Sequence, residues 1–402
     1  MLTGKQIAVV VTGGIAAYKV PGLVRLLIRA GASVRVALTP AAERFVTAET
    51  FEVLTKYPVL REGGAYPDPV AHIALADWAD LSVMVPATAN SLGKMAQGLA
   101  DNEALSSLLA NAGPVVFVPA MNHKMWANPG VQRNVARLRA DGHSVLEPAT
   151  GFLAEGYEGK GRMPEIEEIY AGIEAFFACQ ALDQPLDLSG QRLVVSAGGT
   201  EEALDPVRYL SNRSSGKMGT ALAHVALLAG AQVTLVQTPS AQQLPVLPGI
   251  KTRPVTTAQE LAQAMHEEIQ GADILVMAAA VSDYRAAHAS DQKIKKQDQD
   301  QGLHLDLAEN PDILASLPKD QAFVIGFAAE TQHVVDYARQ KLEKKGAHMI
   351  VANDVSQADI GFASEDNAVH LVTPTEVRSI AKQSKYGIAA QILAQALKEK
   401  SK

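Results

Sequence analysis

Twice in this chain a short apolar run breaks into a glycine turn. The first is Ile7-Ala-Val-Val-Val-Thr-Gly-Gly-Ile-Ala-Ala-Tyr-Lys19; the second is Leu193-Val-Val-Ser-Ala-Gly-Gly-Thr200, followed by Asp205-Pro-Val-Arg-Tyr-Leu-Ser-Asn-Arg-Ser-Ser-Gly-Lys-Met-Gly219. A buried strand that ends in such a turn and feeds a helix gathers backbone N–H groups at the positive helix end, where phosphate binds. Gly13 and Gly14 form the first cradle; Ser214, Ser215 and Gly216 stand before the second helix and add hydroxyls. Two openings imply two phosphate-bearing ligands and two active sites in one polypeptide. Gly13-Gly14 does not complete the Gly-x-Gly-x-x-Gly dinucleotide fingerprint, and Ser215-Gly-Lys-Met218 is not a Walker A sequence. A tight turn with no ligand explains an isolated glycine pair equally well.

Other polar residues fall where open α/β sheets bind ligands, at the carboxyl ends of strands. Thr39 closes the second expected strand, and Thr88 and Asn90 lie in the loop Pro86-Ala-Thr-Ala-Asn90. Asn122 can donate its amide N–H to a carboxylate, or cap the helix before Met125-Trp126. Lys341 and Lys345 are four residues apart, on one helix face, and suit either phosphates or plain solvation.

The elements that must position these residues alternate strand and helix. In the first half strands are expected at 7–11, 33–38, 81–85, 115–118 and 144–146, and helices at 15–30, 102–110, 129–141 and 166–178. Gly31 and Gly142 sit where a helix closes on a left-handed residue. Residues 151–163 hold four glycines and read as a functional flap. A polar joint at 182–190 precedes a new series, with strands at 193–196, 232–236, 274–277, 323–326 and 348–351 and helices at 217–229, 258–269, 334–345 and 388–398. The charged, glutamine-rich residues 293–302 are expected to be a loop. The fold class is therefore α/β with two Rossmann-like domains, residues 1–186 and 187–402: the first a doubly wound parallel sheet, the second a nucleotide-binding α/β sheet.

Composition narrows the partners. The 402 residues carry a formal net charge of −7, which argues against nucleic acid. Only one cysteine, Cys179, is present, so an intrachain disulfide and a cysteine-rich metal site are excluded and a reducing cytoplasm is expected. No apolar run approaches the roughly 20 residues that span a bilayer. The opening Met1-Leu-Thr-Gly-Lys-Gln6 runs into a strand, so no leader is expected.

Taken together, Gly13–Lys19, His72-Ile73, Pro86–Asn90, Pro119-Ala-Met-Asn122 and Gly159-Lys-Gly-Arg-Met163 resemble the flavin-dependent cysteine decarboxylases. The second half, with Ala197-Gly-Gly-Thr200, Asp205–Gly219, Ala278-Ala-Ala-Val-Ser-Asp-Tyr-Arg285, Lys293-Ile-Lys-Lys-Gln297, Asn310-Pro-Asp312, Gly326-Phe-Ala-Ala-Glu-Thr331 and Ala352-Asn-Asp354, resembles the phosphopantothenate–cysteine ligases. In tandem they are similar to the bacterial bifunctional family of coenzyme A synthesis. The resemblance implies a flavodoxin-like first domain that binds FMN through Gly13, Gly14, Thr39, Thr88 and Asn90. His72 becomes the catalytic histidine, although a lone histidine is more often structural, and Asn122 orients the substrate carboxylate.

For the second half the resemblance implies CTP with Mg²⁺, the ligands of which the sequence does not name, together with 4′-phosphopantothenate and cysteine. Asn212 then belongs to the acylation site. Ala279 gives close approach to the base, Asp283 reads the nucleotide and Phe327 stacks near it. Lys293 steadies the transition state, and Lys341 and Lys345 hold phosphates. A homo-oligomer is expected.

The family carries a cysteine in its flap, in a Leu-Ala-Cys-Gly setting; here Leu153-Ala-Glu-Gly156 puts Glu155 in its place. That cysteine acts as the acid of the last, reductive step. Glu155 is expected to take over, which requires burial or a neighbouring anion to raise its pKa by roughly two units. Two rivals remain: a working ligase fused to a flavin-binding half that only regulates or oligomerises, and an NAD(P)-dependent oxidoreductase with two Rossmann-like halves.

Overall fold

In the computed structural model of the chain, residues 1–295, 303–330, 332–354, 361 and 364–401 are described. The chain folds as two compact units, Met1–Glu174 and Ala175–Lys402. Composition puts the joint at 186/187, whereas packing divides the chain inside a helix. The reason is that Ala175 and Ala178 are buried in one core with Leu188 and Leu193.

The strands of the first unit are β1 Gln6–Val11, β2 Ser33–Leu38, β3 Leu81–Ala87, β4 Val115–Pro119, β5 Ser144–Val145, β6 Ala149–Phe152 and β7 Glu158–Arg162. Its helices are α1 Val20–Arg29, α2 Ala48–Thr55, α3 Ala71–Trp78, α4 Ala89–Ala96, α5 Glu103–Ala110, α6 His123–Trp126, α7 Pro129–Ala140 and α8 Ile166–Gln180, the last of which runs past the division. The main sheet has the order β2-β1-β3-β4-β5 and is parallel throughout. This is the flavodoxin-like order, with its switch point between β1 and β3. All seven residues of β3 are buried, as helix-covered parallel strands require.

Three expectations are refined here. Residues 15–30 are not one α-helix: Ile15–Lys19 is a 3₁₀ turn and α1 begins at Val20. Pro21 is the cause, because it lacks the N–H that would bond back one turn and its ring crowds that turn, yet it fits the first turn of a new helix. The expected loop 86–90 is the end of β3 and the start of α4, with Thr88 as the helix cap. The expected flap is an antiparallel hairpin, β6 with β7.

The second unit contains β8 Arg192–Ala197, β9 Glu201–Ala203, β10 Tyr209–Ser211, α9 Lys217–Leu228, β11 Gln232–Gln237, α10 Pro239–Gln242, β12 Lys251–Pro254 and α11 Ala258–Glu268. It continues through β13 Ile274–Met277, β14 Tyr284–Ala286, β15 Leu307–Glu309, α12 Ile313–Ser316, β16 Phe323–Glu330, α13 Val334–Lys345 and β17 Met349–Asp354, and ends with β18 Asp366–Val372, β19 Val377–Ser384 and α14 Lys385–Lys400. The eight-stranded sheet runs β12-β11-β8-β13-β16-β17-β18-β19. Its first six strands are parallel, in the Rossmann order 3-2-1-4-5-6; β18 and β19 extend it antiparallel. Gly219 lets α9 press on β8, since a Cβ there would stand 2.6 Å from the Ser196 carbonyl oxygen. Of the expected loop 293–302, residues 296–302 lie outside the described residues, as does Thr331 of the quoted motif.

Candidate active sites

In the first unit a cavity of about 990 Å³ opens at the carboxyl ends of β1, β3 and β4, the switch point of the sheet. Gly13, Gly14, Thr39, Thr88, Asn90, Asn122 and Glu155 all line it. A Cβ on Gly13 would collide with Ala41, whereas one on Gly14 would meet nothing nearer than Thr88 Cγ2 at 3.7 Å. The turn is therefore packed on one side and open on the cavity side, a cradle that fits a phosphate. Thr88 Oγ1 accepts from Ser91 N–H at 3.3 Å, and the Thr39 hydroxyl donates to the Val11 carbonyl at 3.3 Å. Both hydroxyls hold backbone while their residues form the wall. Lys19 and Arg162, quoted in the motifs of the first half but given no role there, also line the cavity and share the Glu165 carboxylate, Lys19 at 3.0 Å.

Asn122 caps the four-residue α6. Its Oδ1 accepts from Lys124 N–H at 2.8 Å, which fixes the amide so that Nδ2 points the other way. Nδ2 donates to Glu155 Oε1 at 2.9 Å and to the Tyr157 hydroxyl at 2.6 Å. The capping reading of Asn122 is thus realised through Oδ1, while Nδ2 donates to groups of the protein itself. Gly159 and Gly161 press the hairpin onto this corner: a Cβ on Gly161 would strike the Met121 carbonyl, and the Gly161 carbonyl accepts from Met121 N–H at 2.8 Å.

Glu155 corrects the sequence expectation. Its side chain is exposed, and the Asn122 amide, the leading cause, holds its carboxyl below the usual carboxylate range. An acid at neutral pH needs the opposite shift. Cys179 does not replace it: it is not among the residues that line this cavity and packs instead against the core of the second unit, where burial pushes its thiol up to about 12. His72 does not line the cavity of its own chain; on α3, its Nδ1 lies 3.0 Å from Glu103 Oε2.

In the second unit a cavity of about 850 Å³ lies over the β8/β13 switch point. It gathers Asn212, Ser214, Ser215, Gly216, Ala279, Asp283, Phe327, Lys341 and Lys345. Its floor, residues 278–283, is tied down along its backbone. Ser196 Oγ accepts from Ala279 N–H at 3.1 Å, Asn212 Nδ2 donates to the Val281 carbonyl at 3.0 Å, and Asn310 N–H donates to the Asp283 carbonyl at 2.8 Å. One hydrogen of the Asn212 amide is thereby spent on positioning the floor.

The walls are cationic. Lys341 donates to the Phe327 carbonyl at 2.8 Å, Lys345 pairs with Asp312 and Lys217 with Glu365. Burial pushes the Lys341 ammonium down. Burial, and then the Lys217 charge, push Lys385 down to about 8. An anion in the cavity would relieve both, so the donor set fits a polyphosphate. Lys385 was invisible to motif reading, because only the return of α14 beside the sheet brings it here.

Lys293 is not brought to the cavity. Its side chain is exposed, and the next residue is pinned elsewhere: Ile294 N–H donates to Asp205 Oδ2 at 3.1 Å and the Arg208 guanidinium to the Ile294 carbonyl at 2.6 Å. The sequence placed Lys293 in the site by motif order, whereas the fold sends that backbone to the Asp205–Arg208 pair. Among the described residues no group of three or more His, Cys, Asp or Glu side chains is placed to hold a metal ion.

A flavodoxin-ordered unit followed by a Rossmann-ordered one, each with a cavity at its switch point, defines a tandem doubly wound α/β protein. Residues 1–178 match the family model described as Flavoprotein, and residues 188–399 match the DNA/pantothenate metabolism flavoprotein C-terminal domain. The chain is 41% identical over 402 residues to the coenzyme A biosynthesis bifunctional protein CoaBC of Vibrio vulnificus (strain YJ016), covering 98% of each. It is 42% identical to the protein of that name from Bacillus subtilis (strain 168), over 92% of this chain and 90% of that one. A crystal structure of the C-terminal domain of a CoaBC protein matches at 36% identity and a TM-score of 0.45, over 53% of this chain and 98% of that one. The chain belongs to the family of bifunctional coenzyme A biosynthesis proteins, with a flavoprotein half and a ligase half. The expected α/β fold, the bifunctional enzyme and the flavin are those of this family, which leaves the NAD(P)-dependent rival without support.

Proposed function

We propose that the second unit activates the carboxylate of 4′-phosphopantothenate with CTP and Mg²⁺, giving an acyl-cytidylate and pyrophosphate. The cysteine amine then attacks the acyl carbon, forming the amide and releasing CMP. A carboxylate is a poor electrophile, and a nucleotide leaving group lowers the barrier. The first unit would decarboxylate the product to 4′-phosphopantetheine. The observation that carries this reading is the lysine-walled cavity over a hydrogen-bonded floor in a chain of this family. Lys341 and Lys345 would hold phosphates, Asp283 and Phe327 the nucleoside, and Ser214, Ser215 and Gly216 the anion at the start of α9. Mg²⁺ would arrive with the triphosphate. Lys293 enters on motif order alone.

FMN would sit with its phosphate on Gly13 and Gly14, flanked by Thr39, Thr88 and Asn90. When bound it supplies a two-electron acceptor for the thiol end of the substrate. Asn122 Nδ2 would hold the substrate carboxylate and so aim the departing CO₂. His72 would serve in the cavity of a neighbouring copy. Support comes from its place outside its own cavity and from exposed apolar side chains, Val70 and Ile73 beside it and Ile15, Tyr18 and Phe152 at the cavity. We assign the enzyme to the cytoplasm, with no nucleic-acid or membrane partner. Among the described residues no helix is long and apolar enough to cross a membrane.

The test incubates the full chain with 4′-phosphopantothenate, cysteine, CTP and Mg²⁺, reading CMP and CO₂ separately, with ATP replacing CTP in a second arm. Both products are expected. The low-pKa, exposed Glu155 favours a second reading in which the first unit binds flavin and only regulates or oligomerises; CMP without CO₂ would select it, whereas CO₂ without 4′-phosphopantetheine would place the failure in the last, reductive step. Neither product, with either nucleotide, would overturn the assignment.

A further inference from the structure

The corner at Asn122 is already occupied by a carboxylate, and that carboxylate belongs to the protein. Glu155 Oε1 lies 2.9 Å from Asn122 Nδ2, at the wall of the first cavity. Because Oδ1 is committed to Lys124 N–H, the amide cannot flip to offer another face. The flap that carries Glu155 is a closed structure of its own: Leu153 N–H donates to the Tyr157 carbonyl at 2.9 Å and Gly156 N–H to the Leu153 carbonyl at 3.0 Å. Gly156, at φ +88°, makes the turn that returns the chain. The hairpin thus delivers a carboxylate to an amide and holds it there.

We propose that Glu155 is a latch that imitates the substrate carboxylate: it closes the flap on Asn122, and a carboxylate-bearing ligand must displace it to bind. The inference rests on the reading that Asn122 holds the substrate carboxylate. The latch makes affinity depend on that group in an unusual direction. A ligand with a carboxylate competes with Glu155; a ligand that has lost it does not. A seat filled about nine-tenths of the time weakens the apparent affinity of a competing ligand about tenfold. After CO₂ departs, Glu155 can return to Asn122 while the product is still bound, so the seat is refilled before the next substrate arrives. Replacement of a small thiol by a glutamate thus changes the flap residue from a proton donor to a competitor.

Two probes test this on the flavin-loaded full chain: the S-methyl ether of 4′-phosphopantothenoylcysteine, which keeps the carboxylate but has no thiol to oxidise, and S-methyl-4′-phosphopantetheine, which lacks the carboxylate. Binding is followed by the change in flavin absorption, which reports the first unit alone. Glu155→Ala should tighten the first probe about tenfold and leave the second within about twofold. Glu155→Gln, which keeps an acceptor for Asn122 without the charge, should fall between. In an Asn122→Ala background the Glu155→Ala gain should vanish, as it would not if Glu155 merely repelled the ligand. Without ligand, Glu155→Ala should speed hydrogen exchange at the flap amides of Leu153 and Gly156. Equal tightening of both probes, or none, overturns the latch. Failure of the carboxylate probe to bind either wild type or Glu155→Ala instead removes the reading of Asn122 on which the latch rests.

Discussion

Asn122 carries two tasks on two atoms, and they can be separated. Asparagine to aspartate keeps an oxygen for Lys124 N–H and so keeps the cap, which is worth about 1 kcal/mol. It removes the Nδ2 donor and puts a second carboxylate beside Glu155. Asn122→Asp should therefore melt within a few degrees of wild type, by about the worth of a cap at most, while CO₂ release falls by about two orders of magnitude. Thermal melting and trapped CO₂ read the two tasks independently. Undiminished CO₂ would reduce Asn122 to a helix cap. The motif pattern pointed to this residue, but not to its partners: Glu155 and Tyr157 reach it only because the hairpin folds back over α6.

At the scale of elements, α9 joins the candidate nucleotide site to the core of the second unit, and one residue inside it should register acid. His224 is fully buried, with Nε2 accepting from Leu247 N–H at 3.3 Å and Nδ1 at 3.1 Å from the Tyr386 hydroxyl. Burial, the main cause, pushes the imidazole down to about 3. In the unfolded chain it titrates near 6.5. Between those values the unfolded state binds a proton that the folded state refuses. Stability is therefore lost as pH falls below about 6.5, with about 2 kcal/mol gone by pH 5. Urea unfolding of the second unit at pH 7 and pH 5 should show this drop, and His224→Gln should flatten it. An unchanged slope in the variant would assign the acid sensitivity to other groups. The sequence located α9 closely, but the depth of His224 follows from the packing of α14 and the 245–247 turn around it, which no local pattern announces.

For the whole molecule, the open question is how His72 meets the cavity. If it works in a neighbouring copy, a chain lacking His72 and a chain lacking the Asn122 donor can repair each other. Co-expressed His72→Asn and Asn122→Asp chains should recover roughly a quarter of wild-type CO₂ release, because random mixing leaves that share of shared sites intact. Each variant alone should stay inactive while still binding flavin. No recovery in the mixture would return His72 to its own chain or to the structural role suggested by its contact with Glu103.

What the sequence determined by itself is what local chemistry can write. Buried parallel strands need near-continuous apolar runs, and the runs at 33–38 and 274–277 became strands with those bounds. Helix ends need left-handed residues, and Gly31 and Gly142 sit at φ +88° and +89°. Motif order also carried the family, because the Gly13-Gly14 and Ser214–Gly216 turns, which line the two cavities, are written in contiguous sequence. Only the tertiary structure decided which side chains share a cavity. It left His72 and Lys293 outside, brought in Lys385 from the far end of the chain, and lowered the pKa of Glu155 where an acid needed it raised. Those outcomes depend on hydrogen bonds and burial between residues distant in sequence, such as Asn122 with Glu155 and Ile294 with Asp205, and residue type and spacing do not encode such distances.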